Sequence, residues 1–122
     1  MTALVQNRNV ILLMEHDRLT LHVLCGILRS RGFEVIATSD VEGSERFMPM
    51  ADVVICAHDM PFVSAKDLLQ AIKRKWPEKR VFLTSSTSFD ELTQGNHDHI
   101  DGFITKPFEL DQLDDIIGQI AA

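Results

Sequence analysis

The chain has 122 residues, of which 45% are hydrophobic and 25% are charged, a balance typical of one globular domain with its own core. Its formal net charge of −6 argues against a general nucleic-acid binder. No apolar run reaches the roughly 18–20 residues of a membrane-spanning helix, and the N-terminus lacks a signal-peptide pattern. We therefore expect a single cytoplasmic domain over residues 1–122, either a stand-alone protein or part of a longer one.

The first apolar segment, "NVILLM" (9–14), has no polar face at helical spacing and therefore predicts a buried strand. Asp17 is placed to cap the helix that follows, and Gly32 suits the position just after its end. The apolar face of this helix repeats at helical spacing in Leu21, Leu24, Cys25 and Leu28. A second strand is predicted over residues 33–37.

The middle of the chain continues this alternation. A short, weak helix is predicted over residues 41–48, where Pro49 stops it, and a third strand follows at 52–57. Ser64, with an acidic residue three positions later, resembles the capping pair of another helix, which ends before Pro77. The apolar face of that helix consists of Leu68, Leu69, Ile72 and Trp76.

Two more strands are predicted at residues 80–84 and 102–105. Between them, residues 88–97 contain few large apolar side chains, so a helix there should be short or mobile. The last helix is lined by Leu110, Leu113, Ile117 and Ile120. Strict alternation of strands and helices predicts a doubly wound (βα)₅ α/β fold, with a parallel sheet, helices on both faces and right-handed connections.

Two cysteines lie inside these apolar segments. Cys25 is on the first helix and Cys56 is in the third strand, without the spacing of a metal site. We predict that both are buried, reduced thiols, which fits a cytoplasmic protein.

Polar side chains follow four of the predicted strands at the point where each strand ends. They are Glu15, His16 and Asp17; His58 and Asp59; Thr84, Ser85 and Ser86; and Thr105 and Lys106. Because the carboxyl ends of parallel strands share one edge of the sheet, these side chains should converge on one crevice. Carboxylates there suit Mg²⁺, while a lysine and a hydroxyl neutralise phosphoryl oxygens. The third strand breaks the pattern, because its last residue is Ala57.

Four segments in this order resemble a response-regulator receiver domain over about residues 9–120. They are "ILLMEHD", "DVVICAHDMP", "FLTSS" and "GFITKPF", of which the Lys-Pro-Phe element is the most specific. The resemblance implies a flavodoxin-like sheet in the order 2-1-3-4-5 and a role in two-component signal transduction. It also implies a protein partner such as a histidine kinase or an output protein, and leaves a homodimer open.

The family's phosphoacceptor aspartate falls on Ala57, and the second residue of its Mg²⁺-binding acidic pair falls on His16. A methyl group cannot supply the oxygen nucleophile of an acyl phosphate, and an imidazole is a poor Mg²⁺ ligand. Other site positions keep the family's residue types, namely Glu15, Thr84, Lys106 and, at the aromatic switch position, Phe103. We therefore expect a pseudo-receiver that is not an enzyme, has no cofactor, binds Mg²⁺ weakly or not at all, and signals through phosphorylation-independent protein interaction.

Two alternatives remain at the crevice. Asp59, two residues beyond Ala57, is a candidate substitute phosphoacceptor for a histidine kinase, although in-line attack tolerates misplacement poorly. The other alternative is a small-molecule or metal sensor, since the pairs His16-Asp17 and His58-Asp59 suit Zn²⁺ or Ni²⁺. Glu15 and Asp59 are weak candidate metal ligands. We expect Lys106 to pair with Glu15, because an unpaired ammonium in a crevice is unfavourable.

Three surface features are candidates for contact with a partner. The resemblance favours the fifth strand and the last helix, with Phe103, Asp111, Asp114 and Asp115. The basic segment "KRKWPEKR" (73–80) is interpreted as a solvated helix end, with an acidic partner or nucleic acid as the alternative. Phe62 and Val63 either fold over the crevice or meet a partner.

Overall fold

A computed structural model of the protein describes residues 10–61, 63–86 and 100–121. Its strands are β1 (Val10–Met14), β2 (Glu34–Thr38), β3 (Val53–Ala57), β4 (Arg80–Ser85) and β5 (Gly102–Thr105). Its helices are α1 (Arg18–Ser30), α2 (Val41–Glu45), α3 (Ala65–Lys75) and α4 (Leu110–Ala121), with a 3₁₀ turn at Met48–Met50. The strands form one parallel sheet in the order β2-β1-β3-β4-β5, which confirms the predicted fold.

The sheet separates two hydrophobic clusters, because successive residues of a strand point to opposite faces. Ile11 and Leu13 of β1 pack with α1 and α4 on one face, while Leu12 and Met14 pack with α3 on the other. Every residue of β3 is buried, as expected for a central strand covered on both sides. Each fully buried aliphatic side chain stabilises the fold by about 1.5–3 kcal/mol. Cys25 and Cys56 are buried free thiols, as predicted.

The predicted signals at the ends of α1 are confirmed. Asp17 accepts a hydrogen bond from the backbone N–H of Thr20 at 3.0 Å and from its hydroxyl at 2.5 Å. These two bonds hold the pKa of Asp17 below its usual value. At the other end, Gly32 has φ 97°, and the N–H of Phe33 donates back to the Leu28 carbonyl. This is a Schellman motif, which needs a residue that tolerates positive φ. Ser64 likewise caps α3.

Two predicted elements differ in detail from the structure. The helix expected over 41–48 ends at Glu45, and Pro49 lies inside a separate 3₁₀ turn rather than simply stopping the helix. In α4 the buried residues are Leu113, Ile116 and Ile120, whereas Leu110 is 62% exposed. A helical side chain covers the turn before its own Cα, and Leu110 begins its helix and has no such turn. The helix expected over residues 88–97 lies outside the described residues.

The basic segment 73–80 is not simply a solvated face. Lys73 forms an ion pair with Asp101 at 2.8 Å, and the buried Lys79 donates to the Ala51 carbonyl. The guanidinium of Arg80 donates to two backbone carbonyls in the last turn of α4, those of Gln119 and Ile120. Three of its five cations therefore connect elements of the fold. The other two, Arg74 and Lys75, are exposed, and the Lys75 ammonium lies 4.6 Å from the centre of the Trp76 ring.

Gly102 permits a contact that the sequence does not indicate. It lies opposite Phe82 in the β4–β5 pairing, and a Cβ added at this position would lie 2.4 Å from the Phe82 ring. The close approach of β5 to a buried aromatic residue therefore requires glycine. Among the described residues, no helix is long and apolar enough to cross a membrane.

Candidate functional site

The site lies where β1, β3, β4 and β5 end at one edge of the sheet, and backbone hydrogen bonds fix the residues just beyond these ends. The N–H of Glu15 donates to the Thr38 carbonyl at 3.1 Å, and the N–H of His58 donates to the Thr84 carbonyl at 2.8 Å. The N–H of Lys106 donates to the Ser85 carbonyl at 2.9 Å. These bonds continue the sheet pairing past the strand ends, so the side chains that follow start from fixed backbone positions.

An ion pair occupies the centre of this edge. The Nζ atom of Lys106 lies 2.5 Å from Oε1 of Glu15, whose side chain is only 2% exposed. The other carboxylate oxygen of Glu15 accepts the backbone N–H of Asp17 at 3.0 Å. The buried carboxylate therefore has a partner on each oxygen, which satisfies the condition for keeping a charge out of water. The pairing predicted from the sequence is confirmed.

The ammonium of Lys106 also approaches a second carboxylate. Its Nζ lies 3.8 Å from Oδ1 of Asp59, whose side chain is well exposed to solvent. His16 is half-exposed, and its Nδ1 lies 3.7 Å from Oε2 of Glu15. The lysine thus neutralises one buried and one exposed acid, while the histidine stays at the rim.

Ala57 lies at the end of β3 and is fully buried beside these charges. It pairs with Thr84 across the β3–β4 ladder, and the Thr84 side chain is buried as well. Burial, followed by the negative charges of Glu15 and Asp59, raises the pKa of the adjacent Cys56 thiol to about 12. That thiol stays protonated and donates weakly to the Ala57 carbonyl. Ala57 itself therefore offers no nucleophile, and its neighbour Cys56 is a thiol rather than a thiolate.

Comparison with known proteins identifies the family. A model of the response regulator receiver domain matches residues 11–118. The chain belongs to the response-regulator receiver family. No curated protein matches the sequence.

Solved structures agree on the fold of this receiver. A receiver domain protein of Clostridium thermocellum superposes with a TM-score of 0.81 at 22% identity, covering 93% of this chain and 94% of that one. One from Methanospirillum hungatei has a TM-score of 0.80 at 18% identity, with 93% and 94% covered. A chemotaxis response regulator of Vibrio cholerae has a TM-score of 0.77 at 18% identity, with 93% and 98% covered.

The Mg²⁺ ion that the family implies at this edge does not fit the residues present. Glu15, His16 and Asp59 bring one possible ligand atom each within 4.8 Å of one another, and they are the only such group in the described ranges. Mg²⁺ prefers oxygen ligands in near-octahedral geometry, and one of these three ligands is an imidazole nitrogen. The Lys106 ammonium already neutralises Glu15 and borders Asp59, so a divalent cation would have to displace or repel it.

The predicted interaction face is only partly free. Asp111 and Asp115 are exposed on α4, but Asp114 forms an ion pair with Arg31 at the end of α1. Phe103 is half-buried and packs against the core cluster on the α3 side. Val63 packs on the same cluster, which supports the interpretation that it folds inward, and Phe62 lies outside the described residues.

Sequence reasoning missed an exposed apolar patch beside the site. Leu19 of α1 is 72% exposed, and Val23 one turn later is also exposed, as is Leu110 at the start of α4. Leu19 and Val23 line a groove of about 240 Å³ together with Lys106, Pro107 and Phe108. The signal was available, because Leu19 and Val23 are spaced four residues apart but fall outside the buried stripe of α1. We call Leu19, Val23, Pro107 and Phe108 the apolar patch.

Proposed function

We propose that this receiver works in two-component signal transduction as a protein-interaction module that does not depend on an aspartyl phosphate. The observation that carries the proposal is Ala57, which is buried at the end of β3 at the position where the resemblance of the sequence puts the family's phosphoacceptor aspartate. An acyl phosphate needs a carboxylate oxygen as nucleophile, and a methyl group has none. This is the pseudo-receiver interpretation of the sequence.

The state of Lys106 supports the same proposal. In a phosphorylated receiver a lysine at this position would neutralise a phosphoryl oxygen. Here its ammonium lies 2.5 Å from the buried Glu15 carboxylate, so its charge is already compensated without a phosphoryl group. A switch requires a ligand that binds one conformation better than the other. Without a phosphoryl group that bias is missing, and the interaction surface stays in one dominant state.

The partner surface of the proposed module extends from α4 to the crevice. Exposed Asp111 and Asp115 supply charge, and the apolar patch supplies the hydrophobic contact that a specific interface needs. A histidine kinase or an output protein of the same pathway is the expected kind of partner, in the cytoplasm, and self-association through this surface is the alternative. Regulation then comes from the availability of the partner or the abundance of the chain.

Phosphotransfer assays test the proposal directly. Acetyl phosphate and a kinase of the pathway, each with Mg²⁺, should leave the native protein unlabelled under conditions that label an ordinary receiver in parallel. Ala57→Asp alone should label poorly, because His16 still replaces a metal-binding carboxylate, whereas Ala57→Asp combined with His16→Asp should label better. A stoichiometric, hydroxylamine-labile adduct on the native chain would overturn the proposal. Its loss in Asp59→Asn would then identify Asp59 as a substitute phosphoacceptor.

Charge reversal tests the partner surface. Asp111→Lys combined with Asp114→Lys should weaken recovery of the native partner from the source cells, measured by quantitative mass spectrometry. The Asp114 change also breaks the pair with Arg31, so Arg31→Met serves as the matched control for that effect. Glu15→Gln should alter stability more than partner recovery. If crevice variants abolished binding while the acidic face proved indifferent, the binding site would have to lie in the crevice.

A further inference from the structure

One flank of the protein has a charge that its overall composition does not predict. Arg18, His22 and Arg29 lie on the same side of α1 and border a groove between this helix and the edge strand β2. The chain carries a net charge of −6, yet none of the described residues that line this groove is acidic. A local excess of positive charge on an acidic protein marks a place where anions concentrate.

The groove has the size and lining of a small-molecule site. The groove is shallow and open to solvent, and its volume of about 420 Å³ is enough for a small ligand to lie along its lining. Leu21, the buried Cys25 and Ala37 form an apolar floor, and Ser39 adds a hydroxyl at the carboxyl end of β2. Such a mixture of apolar surface with a few polar groups is typical of sites that orient a ligand.

The basic side chains of the groove, Arg18, His22 and Arg29, are not all engaged by the fold. Within residues 10–61, 63–86 and 100–121, no carboxylate forms an ion pair with Arg18 or His22. The neighbouring acids are engaged elsewhere, because Asp17 caps α1 and Asp40 accepts from the N–H of Gly43. Arg29 donates one N–H to the Val35 carbonyl, which anchors its guanidinium at the far end of the groove. This contrasts with the basic segment 73–80, where three of the five cations serve the fold.

We propose that this groove binds a small organic anion, with an oxyanion group of the phosphate or carboxylate type and an apolar body. Arg18, His22 and Ser39 hold the oxyanion at the carboxyl end of β2, because guanidinium groups pair with both phosphate and carboxylate in a two-pronged geometry. The apolar body lies on Leu21, Cys25 and Ala37. Arg18 and Arg29 are eleven residues apart on the helix, which corresponds to about 16 Å of axial rise, so the two guanidinium groups border opposite ends of the groove.

Binding at this groove is independent of the proposed function, since the groove shares no lining residue with the ion pair at the crevice, whereas its role as a signal input rests on that function. A ligand in this groove supplies the conformational bias that a receiver without a phosphoryl group lacks. A ligand that binds one conformation of α1 and β2 better than another shifts the populations of the two. The groove therefore gives the module a chemical input that does not require Ala57.

The test is an amide chemical-shift titration of the full chain at constant ionic strength, with three probes. Phenyl phosphate combines both features of the proposed ligand, inorganic phosphate lacks the apolar body, and benzyl alcohol lacks the charge. We expect saturable shifts at His22, Cys25, Ala37 and Ser39 with phenyl phosphate, weaker saturable shifts with phosphate, and none with benzyl alcohol. Phenylacetate in a fourth titration decides between phosphate and carboxylate as the preferred oxyanion, by which of the two aromatic anions binds tighter.

Two variants make the test specific. Arg18→Gln with His22→Gln should weaken phenyl phosphate binding by about tenfold or more, because a charge-assisted hydrogen bond contributes about that factor. Arg74→Gln, which removes an exposed arginine from α3 outside the groove, should leave the affinity unchanged, and matching thermal unfolding of all forms shows that they are folded. Linear shifts without saturation for both aromatic anions, or equal loss of affinity in both variants, would overturn the site. Equal affinity for phenyl phosphate and inorganic phosphate would overturn the assignment of the apolar floor.

Discussion

Replacing Lys106 with methionine should destabilise this receiver far more than a change at a surface ion pair. The substitution keeps the apolar stem of the side chain but leaves the Glu15 carboxylate, which is 2% exposed, without its cation. Removing one partner of a buried ion pair typically costs about 3–5 kcal/mol. We expect about 2–3 kcal/mol here, because Lys106 is itself partly exposed and Glu15 keeps the hydrogen bond from Asp17.

A double-mutant cycle separates the ion pair from other effects of the substitution. Glu15→Gln together with Lys106→Met leaves no buried charge, so the double variant should lose less stability than the two single variants combined. We expect a coupling energy of about 2 kcal/mol, within the range of about 0.5–3 kcal/mol for residues in contact. The pair Arg31–Asp114 is the matched control, because its side chains are 40% and 47% exposed. Exposed pairs couple by only about 0.2–1 kcal/mol.

Urea unfolding at pH 7, followed by the fluorescence of the single tryptophan, Trp76, gives these energies. With a slope of about 1–3 kcal/mol per molar urea, a loss of about 2–3 kcal/mol moves the midpoint by about 0.7–3 M. The reasoning is wrong if the Glu15–Lys106 coupling is no larger than that of the surface pair. Such a result would mean that Glu15 is stabilised by the backbone and by solvent instead of by Lys106.

Other predictions follow from the same edge of the sheet. With its pKa raised to about 12 from an ordinary 9.0, Cys56 should resist thiol reagents at pH 8 until the protein is unfolded. Unfolding should expose a thiol that ionises more readily, so stability should fall as pH rises above 9.0, a trend that Cys56→Ala should reduce in urea titrations. Gly102→Ala should cost about 1–3 kcal/mol through its clash with Phe82, and Phe82→Leu should restore part of it. Physiological Mg²⁺ should produce no saturable chemical-shift change at the amide of Glu15. Saturation there would contradict the proposal that the Lys106 ammonium already compensates the charge of this carboxylate.

The fold and the convergence at the crevice could be predicted from the sequence because both follow from backbone geometry. Alternating apolar runs and amphipathic segments require a parallel sheet between helices, and parallel strands deliver their carboxyl ends to one edge. The ends of α1 were equally predictable, since Asp17 and Gly32 act within one helical turn. The pairing of Lys106 with Glu15 could be predicted from the general principle that an unpaired charge in a crevice is unfavourable.

What the sequence could not indicate depends on contacts between distant residues. Lys73 reaches Asp101, and Arg80 reaches the end of α4, so a basic segment that reads as solvent-exposed is partly internal. The need for Gly102 comes from the Phe82 ring on the neighbouring strand. Helical periodicity predicted that Leu110 belongs to the buried face. It does not indicate that Leu110 begins the helix and so has no preceding turn for its side chain to cover. Each of these features can be recognised only when the neighbours of the residue in three dimensions are known.

The position of Lys106 connects the crevice to the apolar patch, and this connection makes a last prediction. The same side chain that neutralises Glu15 also lines the groove formed with Leu19 and Val23. A partner seated on the patch would therefore contact Lys106, which belongs to the ion pair of the crevice, without contacting the buried Glu15. Glu15→Gln should reduce stability while partner recovery stays close to that of the native protein, because Glu15 is buried. Lys106→Met should reduce both, and Leu19→Ala should reduce recovery alone. If Glu15→Gln and Lys106→Met reduced partner recovery equally at matched stability, the partner would depend on the intact ion pair rather than on the exposed surface of Lys106.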